Sequence, residues 1–143
     1  MKVFYTNGDT QTIRAGQGFS LALGAHYQLA ALPLDFAATV GYKYVTTAAS
    51  NANINIGRVV IKATGTCELP QKFWVAAGPV WHVGTRLNGD GFVPNIDFGD
   101  SLGGTVGVGW RWFGISYTNI HYSSPLTGVV NGSNVGVNVI LKL

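Results

Sequence analysis

Between Gly18 and Leu29 the chain alternates strictly. Phe19, Leu21, Leu23, Ala25, Tyr27 and Leu29 fall on one side of an extended backbone, and Ser20, Ala22, Gly24, His26 and Gln28 on the other. A period of two is that of a strand with one apolar face. The alternation returns over 34–48, 54–67, 72–87, 101–112, 113–124 and 133–143. Ahead of the strand at 18–31, KVFYT (2–6), the turn NGDT and TQTIRAGQG read as a short hairpin, Asn-Gly being a strong hairpin signal. No helix longer than a turn is expected. The pattern predicts about eight antiparallel strands, the first short or clipped, in a single domain over 1–143. The connections alternate in length: ALPL, ELPQ and Trp112-Phe113 are short, whereas 48–53, 88–100 and 125–132 are long. Short turns at one end and long loops at the other suit an up-and-down barrel.

Composition decides which way the apolar face points. The chain is 47% hydrophobic and 10% charged, against roughly a quarter charged in a soluble domain. The face opposite the bulky residues is rich in Gly, Ala, Ser and Thr rather than charge. Small residues suit the crowded interior of an eight-stranded barrel. The bulky face is therefore expected to point outward into lipid, and strands of about 11–15 residues are long enough to cross at a tilt. Trp110, Trp112 and Phe113 crowd a short-turn end, while Tyr42, Tyr44 and Trp81 lie towards the other. Such aromatic girdles mark the two interfaces of a transmembrane barrel. No run of about 18 apolar residues could form a transmembrane helix. MKVFYTNGDTQ lacks the apolar core of a signal peptide, so an exported protein would be represented in its mature form. A net charge of +3 without a Lys/Arg cluster argues against a nucleic-acid partner. Cys67, the single cysteine, allows no intrachain disulfide.

The segments IRAGQGFSLALGAHYQL, ATVGYKY, VAAGPVWHV and FGISYTNIHY resemble a poorly characterised family of small proteobacterial outer-membrane β-barrels. The resemblance covers most of the chain. It implies an eight-stranded transmembrane barrel in the Gram-negative outer membrane, in contact with lipid and lipopolysaccharide. GVNVILKL resembles the alternating signal through which such proteins meet the barrel-assembly machinery, although the family usually ends in Phe and this chain in Leu143.

Three constellations could carry chemistry. Lys43, Arg58, Lys62, Lys72, Arg86 and Arg111 share the small-residue parity, with Asp35 the clearest acid beside them. They predict a basic, anion-favouring lumen, because charge inside a barrel needs a partner or water. His26 and His82 share that face on non-adjacent strands without a companion ligand, so no metal is expected. The second constellation is IHYSS (120–124), locally similar to the His-x-Ser-Asn segment of outer-membrane lipid A 3-O-deacylases. Carried over, His121 matches the base and Ser123 the nucleophile, both on the lipid-facing side by parity. The family's Asn after the Ser is Ser124 here, and 133–143 contains no acid where the family has one. A hydroxyl nucleophile needs an oriented base. Asp100 is the nearest substitute: with a tight turn at 112/113, His121 would stand opposite Gly104, about 13 Å along the strand from Asp100. In the loop NGDGFVPNIDFGD, Asp90, Asp97 and Asp100 could at most hold a weak cation at the rim.

The sequence thus predicts a monomeric outer-membrane barrel without cofactor, porin-like in architecture, with a non-enzymatic structural or interaction role and a narrow basic lumen. A lipid A-acting esterase is the alternative, and a soluble lipocalin-like binder the third reading.

Overall fold

The computed structural model describes residues 2–4, 10–12, 18–46, 54–91, 94–126 and 128–141. The Asn-Gly turn, the polar loop at 50–53 and Leu143 lie outside them. The strands are β1 (Lys2–Phe4), β2 (Thr10–Thr12), β3 (Phe19–Gln28), β4 (Leu34–Thr46), β5 (Asn55–Glu68), β6 (Phe73–Asn88), β7 (Ile96–Asp97), β8 (Ser101–Trp110), β9 (Phe113–Asn119), β10 (His121–Ser124), β11 (Gly128–Asn131) and β12 (Asn134–Val139). One 3-10 turn, Pro70–Lys72, joins β5 to β6. The protein is all-β, an antiparallel sheet in the order β12-β9-β8-β6-β5-β4-β3, curled into an open half-barrel. β1 pairs with β2 in a separate small sheet. The eighth member of the principal sheet is the two-residue β7, which pairs with β6 inside the loop expected at 88–100. The loop expected at 125–132 likewise contains β11. His121↔Asn131 and Thr118↔Asn134 share one register, so β9–β10 and β11–β12 form a single long hairpin interrupted around Ile120 and Gly132.

The faces divide by parity. Leu21, Leu23, Val40, Leu102, Val106, Val137 and the aromatics Tyr42, Tyr44, Trp81, Trp110, Trp112 and Phe113 are exposed on the convex side. The concave side carries Asp35, Arg58, His82, Thr105 and Thr118, all buried. Three residues expected in the interior lie outside it. Lys72 and Arg111 sit in the short turns with φ of 66° and 53°, where the chain reverses and strand parity no longer applies. Arg111 lays its guanidinium over the Trp110 ring, 4.6 Å from the centroid. Arg86 is exposed and paired with Asp97 at 3.4 Å. The cause is a bulge: Gly57 faces Arg86 but Val59 faces Val83, so Gly84 and Thr85 together oppose Arg58. Gly84 takes φ of +60°, which glycine adopts without a Cβ penalty. Beyond it Thr85 and Leu87 point inward and Arg86 outward.

The inward Leu87 joins Val45, Ile54, Ile56, Ile96, Phe98, Ile120 and Tyr122 in an apolar cluster at the long-loop end. Trp74 fills the concave side at the short-turn end. Its indole N–H donates to the Arg111 carbonyl at 2.9 Å. It shares a rung with Gly109 and Gly114, and a Cβ on either would collide with its ring. The ring thus occupies volume that these glycines leave empty.

Candidate functional site

A cavity of about 300 Å³ is lined by β4 and β5 and by both edge strands of the open sheet, β3 and β12. Register places its charges. Lys43 on β4 stands directly opposite Arg58 on β5, and Lys62, further along β5, opposite Thr39. The Lys43 ammonium reaches across the curled sheet and donates to Asn134 Oδ1 on β12 at 3.1 Å. Both lysines line the cavity, with His82, Thr39, Ser116 and Thr118, and among the described residues no acidic side chain does. Arg58 is fully buried behind it. Its guanidinium stacks on Tyr122, 5.3 Å from the ring centroid. Tyr122 also shares a 2.5 Å hydrogen bond with His82 Nδ1 and stacks on that ring. Asp35 is elsewhere. It contacts His26 at 3.3 Å and lies eight residues from Lys43 on the same strand, about 26 Å away. Like charges brought together out of water repel more strongly than at the surface, and an anion among them would relieve that repulsion.

His121 and Ser123 project from the convex face of β10, exposed, while Tyr122 and Ser124 between and beside them are buried. Asn119 and Asn131, exposed on the same hairpin, flank His121. Asn131 is the register partner of His121. The hairpin between β8 and β9 turns through Arg111 and Trp112, with Trp110↔Phe113 and Gly104↔Asn119 paired. Two rungs further, His121 comes level with Leu102 rather than Gly104, which brings Asp100 nearer than expected. The Gly99 N–H donates to the Ser123 carbonyl at 2.9 Å and pins this segment beside the pair. The Asp100 carboxylate, however, accepts the Gly84 N–H at 3.2 Å, on the β6 side. Ser124, at the position where an oxyanion donor would be needed, faces the concave side. The loop aspartates do not converge on a cation: Asp97 pairs with Arg86 and Asp100 with Gly84.

Sequence reading missed Tyr122, Asn134 and Trp74. Tyr122 was legible as inward by parity from His121, but its partners Arg58 and His82 come from strands distant in sequence. Asn134 becomes the acceptor for Lys43 only because the sheet curls. Comparison with protein-family models, with curated proteins and with solved structures finds no match.

Proposed function

We propose that the chain is a small outer-membrane β-barrel, its strands closing into an eight-stranded transmembrane cylinder, with a non-enzymatic structural or interaction role in the envelope and a narrow basic lumen. One observation carries the reading: the polarity of the sheet is inside out. Leu102 is 74% and Val137 76% exposed, whereas Arg58 is 0% exposed. Water would leave the convex face as one large apolar patch, far beyond what a soluble monomer shows; lipid would cover it. This weighs against the lipocalin-like reading. Phe36 and Tyr44, exposed eight residues apart on β4, stand about 26 Å apart along the strand. At a tilt of about 40° that is some 20 Å of membrane depth, comparable with the apolar band of known barrels. The partners implied are outer-membrane lipid, lipopolysaccharide and the assembly machinery, with the barrel as a monomer. The test is expression with an export signal, followed by alkaline extraction and vesicle flotation. The protein should stay with the membrane and need detergent for release. A detergent-independent, water-soluble monomer would overturn the proposal.

A second reading, a lipid A esterase, is favoured by His121 and Ser123 sharing the convex face. Among the described residues the arrangement has no acid on the imidazole and no donor on the convex side after Ser123. A misplaced triad member and a missing oxyanion donor cost about 10⁴ and about 10²–10³ in rate. Purified protein should therefore release no 3-linked acyl chain from lipopolysaccharide in detergent. Release that is abolished by both Ser123→Ala and His121→Ala would install the esterase in place of the structural role.

A further inference from the structure

Lys72 and Arg111, the two cations in the short turns, stand together at one rim of the sheet. The Arg111 N–H donates to the Lys72 carbonyl at 2.8 Å, so the turn at 111–112 is tied to the turn at 70–72. The Arg111 carbonyl accepts the Trp74 indole N–H at 2.9 Å, and the Arg111 guanidinium lies over the Trp110 ring. Trp110 in turn donates its indole N–H to the Gln71 carbonyl at 3.0 Å. Arg111 is thus held at its N–H, its carbonyl and its guanidinium by three different residues. Stacking covers one face of the guanidinium. It leaves uncovered the N–H groups at the edge, which meet an oxyanion two at a time.

The backbone adds a second observation. Gln71, Lys72 and Arg111 take φ of 63°, 66° and 53°. Glycine adopts such left-handed values without strain, and larger residues held there cluster at ligand clamps. Asp90 is the fourth non-glycine residue of this kind among those described, so three of the four stand in these two adjoining turns. The chain accepts strain here and keeps long cationic side chains. Trp112 and Phe113, stacked at 4.2 Å, continue the aromatic surface beside Arg111. Two acids lie at this end: Asp35 is buried against His26, and Glu68 closes β5. Among the described residues neither makes an ion pair with Lys72 or Arg111.

We propose that this rim binds the phosphate of an anionic phospholipid headgroup, with Arg111 as its forked partner, Lys72 as a second cation, and Trp110 and Trp112 against the glycerol and upper acyl region. The inference rests on the membrane reading above, which puts this aromatic end at a bilayer surface, where each cation beside an anionic headgroup adds attraction. The site is separate from the concave cavity and its lysines.

The test is native mass spectrometry of the detergent-folded protein at low ionic strength, titrated with phosphatidylglycerol in one arm and phosphatidylcholine in the other. One phosphatidylglycerol should be retained at a concentration about tenfold or more below that needed for phosphatidylcholine. Lys72→Met should weaken phosphatidylglycerol about fivefold, and Arg111→Met at least as much, with phosphatidylcholine unchanged. Arg111→Lys keeps the charge without the fork and should fall between Arg111→Met and the unaltered protein. Arg86→Met, a cation at the other end, should change nothing. Far-ultraviolet circular dichroism establishes that each variant is folded; if Arg111→Met does not fold, Lys72→Met and Arg111→Lys carry the comparison. Equal retention of the two lipids would overturn the proposal. So would a parallel loss of both in the variants, which would mean that the turns only shape the protein. A third arm adds inorganic phosphate to the phosphatidylglycerol complex, and displacement at equimolar phosphate would assign the rim to the free anion instead of a lipid. A protein that floats with vesicles but retains both lipids alike loses this site and keeps the barrel; a water-soluble protein loses both.

Discussion

Gly114→Ala is a sharp test of how the interior is filled. The added methyl would overlap Cζ2 and Cη2 of the Trp74 indole, with the Val108 carbonyl oxygen at 3.0 Å on its other side. Carbon atoms pack at about 3.5–4.0 Å, so the ring must retreat by about 1 Å. Its freedom to do so is limited, because the indole N–H is tied to the Arg111 carbonyl at 2.9 Å. Overpacking costs about 1–3 kcal/mol, and the strained or lost hydrogen bond adds about 0.5–1.5 kcal/mol. Together they suggest a destabilisation of about 2–4 kcal/mol. The assay is urea unfolding, in vesicles where the protein refolds reversibly, followed by circular dichroism. The decisive comparison uses a Trp74→Ala background, where the methyl has room. There Gly114→Ala should cost less than about 0.5 kcal/mol, which gives a coupling well above the additivity error. Equal costs in the two backgrounds would refute the claim that the glycine exists to seat the indole.

Val106, exposed mid-strand on the convex face, should lose about 2–4 kcal/mol when changed to Arg in a bilayer; a neutral outcome in the same urea titration would place that face in water. In planar bilayers no large, steady channel should form, because Trp74 and the apolar cluster fill the two ends; any small conductance should prefer anions, and a cation preference would remove the basic-lumen reading. Gly84→Val should destabilise by about 1–2 kcal/mol through its φ of +60°, whereas Arg86→Ala, at an exposed pair, should change stability by less than about 0.5 kcal/mol; thermal melts that rank them the other way would contradict the bulge.

Much of the fold was legible because alternation is a local property. The outward placement of Leu102, Val106 and Trp110 follows from counting by two. What escaped the count came from places where two is interrupted or where distant strands meet. Arg86 was assigned to the interior because Gly84 adds one residue to the strand, and nothing in VWHVGTRL distinguishes an inserted glycine from a regular one. Lys72 and Arg111 continued the parity in sequence but lie where the chain turns. Asp100 lies nearer to His121 along the sheet than the sequence implies, because the hairpin turn consumes Arg111 and Trp112, shifting the register by two. β7 and β11 are too short, and set in stretches too rich in turn residues, to show a period. For the candidate sites, the sequence could place Lys43, Lys62, His121 and Ser123 on faces. It could not pair Lys43 with Asn134, or Arg58 with Tyr122, because those contacts arise only from curvature.

The bulge at Gly84 has a consequence for chain length. Thr85, Arg86 and Leu87 hold the faces they would occupy if Gly84 were absent, so excising that one residue would leave a regular ladder with β5 and every side chain on its present side, while the pairing with β7, which shares one register with β8, would move by one residue. Excision of a residue elsewhere in β6 would exchange inside for outside along the remainder of the strand. Gly84 is thus a point where this strand can shorten without inversion. What such a deletion would forfeit is the backbone N–H that holds Asp100 and the present register of β7 on β6, and with them the anchorage of the long loop.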